Sequence, residues 1–173
     1  MASIVHESHN AQSSLLPIFT ALIGSGGLIN GLHHLKSPED AARLYGVPIP
    51  EGKEQLVDDR KALKGLPRWQ ASYVFAYGSR NFATGLTIIG LSAYWRYSPA
   101  WNIPLASHAI QRCLGIVILA GSSVPVFDAV ITNWASKEAA RDDAERKVGV
   151  KASIAHALRS VIWMAVGGAC LLG

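Results

Sequence analysis

Two ionisable side chains of opposite sign lie in stretches of this sequence that are otherwise apolar. Arg80 lies in ASYVFAYGSRNFATGLTIIGLSAYW (residues 71–95), and Asp128, the one acid in an apolar stretch, lies in AGSSVPVFDAVITNW (residues 120–134). A charged side chain at the centre of a bilayer costs about 2.5 to 3.5 kcal/mol on insertion scales. Both side chains should therefore face the interior of a helix bundle, where we expect them to form an ion pair.

Further polar side chains are predicted to lie at the same depth in the membrane as Arg80 and Asp128. His156 and Arg159 are three residues apart and therefore share a helix face. In an enzyme, Asp128 would accept a proton, His156 would act as its relay or as a general acid, and Arg80 would stabilise a developing oxyanion. We predict four substrate-binding residues: Asn30, Tyr77, Asn81 and Arg159. The alternative is a structural ion pair that sets the register of the helices.

The composition indicates the elements that position these residues. Half of the 173 residues are hydrophobic and only 16% are charged, whereas a soluble domain has about 25% charged residues. Four apolar stretches are each long enough to cross a hydrocarbon core of roughly 30 Å. The sequence thus predicts an all-α, four-transmembrane-helix bundle forming one domain (residues 15–173) after a disordered tail (residues 1–14), with spans at about 15–32, 71–95, 108–132 and 152–172.

The basic residues predict the orientation of this bundle. Loops 33–70 and 133–151 contain twelve of the sixteen lysines and arginines, against one in the connection 96–107. An excess of Lys and Arg marks cytoplasmic loops. Both loops should therefore be cytoplasmic and both termini should lie on the other side, so the net charge of +4 needs no nucleic-acid partner to explain it.

Local signals refine the helices. Ser37 precedes Pro-Glu-Asp, which predicts a capped short amphipathic helix ending near Tyr45 in the first cytoplasmic loop. Ser136 is the candidate cap of a charged helical extension (residues 136–147). Gly27 and Gly31 form a small-xxx-small pair that would let a neighbouring helix approach closely.

No metal or cofactor site is predicted. Cys113 and Cys170 are too few for a metal cluster. His33 and His34 are adjacent and point to different sides of a helix. The glycines near Gly27 do not match a nucleotide-binding loop.

Several short motifs resemble a family of small four-helix integral membrane proteins of bacteria and fungi, known as a domain of unknown function, number 4267. YGSRN (residues 77–81), followed by Gly85, resembles its G-x-R-[DN]…G motif. PVFDA (residues 125–129) is similar to its P-x-x-D-A/G stretch, His156 matches a histidine at the start of its fourth span, and LYGVP (residues 44–48) is similar to its F-G-[LV]-P turn. Many relatives carry Asp where this chain has Asn81, which removes a second carboxylate.

The resemblance implies a functional context. Fungal members look like accessory proteins of secondary-metabolite pathways, which implies a polyketide or terpenoid substrate at the endoplasmic reticulum with both termini lumenal. Our leading hypothesis is a membrane-embedded enzyme that isomerises or cyclises such a lipophilic substrate, without a cofactor. The alternatives are a membrane scaffold for pathway enzymes and a small proton-coupled transporter working as a homodimer.

Overall fold

The described part of the chain is built from helices. A computed structural model describes residues 2–45, 68–138 and 143–172, with side chains described in 15–45, 70–138 and 143–172. No strand occurs in these ranges. The elements are α1 (Ala2–Lys36), α2 (Pro38–Leu44), α3 (Arg68–Tyr97), a 3-10 turn (Pro99–Asn102), α4 (Pro104–Glu138) and α5 (Asp143–Leu172).

Three helical segments among the described residues are long and apolar enough to cross a membrane: Leu15–Lys36 in α1, all of α4 and all of α5. This confirms the prediction of an all-helical membrane protein. α3 has 30 residues and includes the predicted second span, but it is not one of the three. Polar side chains such as Arg80 and Asn81 lower its hydropathy, so the four-span arrangement stays a prediction.

Close helix packing joins α1 to α3. A Cβ atom added to Gly31 would lie 2.5 Å from the backbone N of Phe82 and 2.7 Å from the carbonyl oxygen of Gly78. Gly27 also faces α3, with Gly85 as its neighbour. The predicted role of the Gly27 and Gly31 pair is thus confirmed, since only glycine lets the two backbones come this close.

α4 packs along α5 in a second pair. Gly115 and Gly167 face each other, and Ser136 packs on Gly149. The prediction that Ser136 caps a separate helix is wrong, because α4 continues to Glu138. Ser136 is buried, and its hydroxyl donates to the carbonyl of Asn133 at 2.9 Å, one turn back in the same helix.

Other boundaries agree in part with the sequence. α2 begins at Pro38 and Tyr45 is its C-cap, as predicted, but Ser37 makes no side-chain capping bond. The backbone of residues 2–14 is helical where a disordered tail was expected; these residues include no proline or glycine that would end the helix. The rest of the predicted first cytoplasmic loop, residues 46–67, and residues 139–142 lie outside the described residues.

The α1–α3 pair and the α4–α5 pair pack against each other through apolar side chains at one end and through polar side chains and cavities at the other. Where α3 ends and α4 begins, Ile88, Trp95, Leu114 and Ile118 form a buried apolar cluster. Towards the start of α3 and the end of α4, polar side chains and cavities replace this core. The second region therefore contains the candidate site.

Candidate functional site

Asp128 on α4 and Tyr77 on α3 form the centre of the site. The carboxylate of Asp128 is 14% exposed, and its Oδ2 atom accepts a short hydrogen bond from the Tyr77 hydroxyl. Pro125, one turn before Asp128, has no N–H to donate to the carbonyl of Gly121. Both of these residues line the cavity next to Asp128.

His156 on α5 lies beside this carboxylate but does not bond to it. Its side chain is 5% exposed, and its Nδ1 atom is 4.0 Å from Oδ2 of Asp128, which is too long for a hydrogen bond. Nδ1 has no hydrogen-bond partner among the described residues. The structure thus places His156 within reach of Asp128, where a relay was predicted, but without a hydrogen bond between the two side chains.

Arg80 lies at the edge of the site. Its guanidinium is 4.0 Å from Oδ1 of Asp128, at the limit of an ion pair, and its side chain is 48% exposed. The guanidinium also stacks over the ring of Tyr77, 4.6 Å from the centroid. Arg80 lines neither of the two cavities described below, so its geometry gives little support to its expected role at an oxyanion.

Replacing Arg80 by glutamine should change the free energy of unfolding by less than about 1 kcal/mol, since half-exposed ion pairs contribute little. Thermal unfolding of the purified protein in detergent measures this change. A loss of about 3 kcal/mol or more, the usual effect of breaking a buried ion pair, would contradict the peripheral position of Arg80.

Tyr45, which was predicted to end the short helix α2 but not to belong to the site, connects three helices. Its hydroxyl accepts hydrogen bonds from Nδ2 of Asn30 on α1, at 2.7 Å, and from NH1 of Arg159 on α5, at 3.4 Å. Its ring lies 4.5 Å from that of His156. Nothing in the spacing of the sequence indicates this contact, because α2 is placed over the site only by tertiary packing.

His34 is a second residue that sequence reasoning missed. It is 3% exposed, and its Nδ1 donates to the backbone carbonyl of Asn30 at 2.7 Å. Its ring lies 4.8 Å from that of Tyr45 and 5.0 Å from that of Tyr77. The separation of four residues between Asn30 and His34 puts both on one helix face, a signal that could have found it.

Replacing Tyr45 by phenylalanine should lower the free energy of unfolding by about 1 to 3 kcal/mol, because Asn30 and Arg159 lose their shared acceptor. Thermal unfolding followed by helical circular dichroism measures the loss. Tyr97→Phe is the control, since that side chain is 83% exposed. Equal effects of the two variants would show that the Tyr45 hydroxyl contributes nothing specific.

A cavity of about 160 Å³ lies between the four long helices, beside Asp128. All four predicted substrate-binding residues contribute to its wall, together with apolar side chains. It is lined by Leu22, Ile23, Gly26, Gly27, Asn30, Tyr77, Asn81, Thr84, Gly121, Val124, Pro125, Asp128, Arg159 and Trp163. The structure thus brings together polar residues from α1, α3, α4 and α5, as the sequence predicted.

A larger cavity of about 460 Å³ lies on the other side of Asp128, towards α2. Its wall is mostly apolar, and it is lined by His34, Ala41, Ala42, Tyr45, Gln70, Tyr73, Val74, Tyr77, Asp128, Ile131, Thr132 and Ala135. Tyr77 and Asp128 belong to both cavities. Their hydrogen-bonded pair is therefore the common wall between a smaller and a larger cavity.

The part of the chain that forms the two cavities matches a known protein family. The sequence model of a family described as a domain of unknown function, DUF4267, matches residues 24–170. The chain belongs to this family. The matched DUF4267 segment contains every residue of both cavities except Leu22 and Ile23. No curated protein and no solved structure matched the sequence significantly.

The described side chains of this DUF4267 site include groups that can exchange protons. Among the described residues, no group of three or more His, Cys, Asp or Glu side chains is arranged to hold a metal ion. The carboxylate of Asp128 and the phenol of Tyr77 line both cavities, whereas the imidazole of His156 lies beside Asp128 and lines neither cavity. Such groups can take a proton from one atom of a bound molecule and return it to another.

Proposed function

We propose that this DUF4267 protein is a membrane-embedded enzyme that isomerises or cyclises a lipophilic metabolite by proton transfer. The observation that supports this proposal is the Asp128 and Tyr77 pair, which forms a wall of a largely apolar cavity of about 460 Å³. This volume lies in the range of small-molecule sites, about 300 to 1,000 Å³. An apolar metabolite of polyketide or terpenoid type would suit such a cavity.

In the proposed reaction, Asp128 removes a proton from a carbon atom of the substrate. The electron pair of that C–H bond moves into the substrate, and the same proton is returned to a second carbon, so the reaction needs no other reactant. Tyr77 positions the carboxylate through its hydrogen bond. His156, whose Nδ1 has no hydrogen-bond partner among the described residues, would relay the proton after a small rotation.

The proposed enzyme spans the membrane four times. α3 has 30 residues, and at 1.5 Å per residue it is about 45 Å long, more than the roughly 30 Å of a hydrocarbon core. Its polar residues Tyr77 and Asn81 line the cavities, which would shield them from lipid. We further propose the endoplasmic reticulum as the location, with loops 33–70 and 133–151 cytoplasmic, both termini lumenal, and a lipophilic small molecule as the ligand.

Product analysis tests this proposal. The chain is expressed in yeast cells that do not make the candidate metabolites. Lipophilic precursors are added to the isolated membranes, and the products are separated by chromatography with mass detection. We expect an isomer of one precursor with the wild-type protein and none with Asp128→Asn. If Asp128→Asn forms the same product, or if no precursor is changed, the proposal is wrong.

A proton-coupled transporter is the second candidate. It is favoured by the two cavities that share Asp128 as a common wall at different depths of the bundle. In proteoliposomes, a transporter would accumulate the unchanged precursor in response to a proton gradient, and Asp128→Asn would abolish uptake while binding is retained. Conversion of the precursor without a gradient would instead identify the enzyme.

A further inference from the structure

The smaller cavity is lined by Asn81, whose side-chain amide has a donor atom without a partner among the described residues. The Nδ2 atom of Asn81 is buried and has no hydrogen-bond partner among the described residues. Asn81 lines the cavity of about 160 Å³. A buried N–H group without a partner has lost its hydrogen bond to water and gained no replacement, so a ligand with an acceptor atom at this position would bind more tightly than one without it.

The charges around the cavity favour a neutral acceptor. Asp128 and Arg159 both line it, so their opposite formal charges offset each other there. A carboxylate on the ligand would meet the negative charge of Asp128 as well as the positive charge of Arg159. A carbonyl oxygen accepts a hydrogen bond from an amide without this repulsion.

The volume of the cavity limits the size of the group that binds. An engineered apolar cavity of about 150 Å³ holds one benzene molecule. The smaller cavity has nearly this volume, and its apolar wall includes Leu22, Ile23, Val124 and Trp163. One six-membered ring therefore fills it, and the rest of a larger molecule must lie elsewhere.

We propose that the smaller cavity binds the carbonyl-bearing ring of a neutral lipophilic ligand, with Asn81 Nδ2 donating to the carbonyl oxygen. As the assignment of a substrate class, this inference rests on the proposed function. Asp128 lines the same cavity, so a ring bound in this way would present a carbon atom next to its carbonyl to the carboxylate. Protons on those carbons are the most acidic in a ketone, so Asp128 as a base and a ketone as substrate suit each other.

Infrared spectroscopy of a bound ketone tests the site without any turnover. The probe is 4-octylcyclohexanone with a carbon-13 label at the carbonyl, added to the full chain purified in detergent. We expect a second carbonyl band at lower frequency than that of the ketone in empty micelles, because a hydrogen bond weakens the C=O bond. Asn81→Leu should remove this band and weaken binding by about tenfold, the effect of one lost hydrogen bond.

Asn102→Leu is the matched control, because this exposed asparagine lies in the 3-10 turn at the other end of α3; it should keep the band. Helical circular dichroism shows whether Asn81→Leu folds, and Asn81→Ala replaces it if it does not. A shifted band that persists in the folded Asn81 variant overturns the proposal, as does the absence of such a band in the wild-type protein.

Two further measurements are needed. The first distinguishes a metabolite carbonyl from a lipid carbonyl as the natural ligand, and the second distinguishes failure of the carbonyl site from failure of the proposed enzyme. If added phosphatidylcholine displaces the ketone band, the natural occupant is the ester carbonyl of a lipid; if it does not, the site selects a metabolite. If the band depends on Asn81 but no precursor is converted in the product analysis, the carbonyl site stands and the enzymatic proposal fails. If precursors are converted and the band does not depend on Asn81, only the carbonyl site fails.

Discussion

Replacing Asp128 by asparagine should reduce turnover of the lipophilic substrate by about 10²- to 10⁴-fold, the usual contribution of a positioned general base. The amide keeps the size of the side chain, and its oxygen can still accept the hydrogen bond from Tyr77. The variant should therefore fold but fail to take a proton from the substrate. Initial rates of product formation in membranes, normalised to the amount of folded protein, measure the effect.

Glu138→Gln is the control for this change. Glu138 is an exposed carboxylate at the end of the same helix, so its neutralisation alters the charge of α4 without reaching the site. We expect wild-type rates for this variant. A loss of less than about tenfold in Asp128→Asn would be too small for a general base and would favour the structural interpretation of the carboxylate.

Adding a single methyl group at Gly31 should destabilise the protein by about 1 to 3 kcal/mol, the usual effect of overpacking. The Cβ atom of alanine would lie 2.5 Å from the backbone N of Phe82 and 2.7 Å from the carbonyl oxygen of Gly78. Because the obstacle is backbone, α1 and α3 must move apart. Thermal unfolding of Gly31→Ala in detergent, followed by helical circular dichroism, measures the loss.

Gly26→Ala, on the same helix, is the matched control. A Cβ atom at Gly26 meets nothing within 4 Å. Alanine should stabilise the helix here by about 0.5 to 1 kcal/mol, because glycine loses more conformational freedom on folding. Opposite signs for the two variants would support the close packing of α1 on α3, whereas equal effects would mean that the two helices are farther apart.

The convergence of polar side chains was predictable from the sequence. Asn30, Asn81, Asp128 and Arg159 each interrupt an apolar stretch, and a polar group in such a stretch must turn away from lipid. That requirement predicts that these side chains face the interior, and the structure places all four on the wall of one cavity. The close approach of α1 and α3 was predictable for a similar reason, since Gly27 and Gly31 repeat on one helix face.

The detailed geometry of the site was not predictable. The pairing of Tyr77 with Asp128 depends on how α3 is rotated against α4, and Tyr45 reaches Asn30 and Arg159 only because α2 folds back over the bundle. Neither relation produces a periodic pattern along the chain. The prediction that Ser136 caps a helix was also wrong. A serine beside a charged segment can instead make a buried contact inside a longer helix, as Ser136 does with Gly149.

The sequence by itself determined that the chain is helical, that much of it suits a membrane, and that a few polar residues face inward, because these properties follow from hydropathy along a helix. Only the tertiary structure decided that Tyr77 is the hydrogen-bond partner of Asp128 and that Arg80 stays at the edge. The physical reason is that a partner depends on distances of a few ångströms between side chains on different helices. Those distances depend on helix rotation and separation, which the packing of whole surfaces decides.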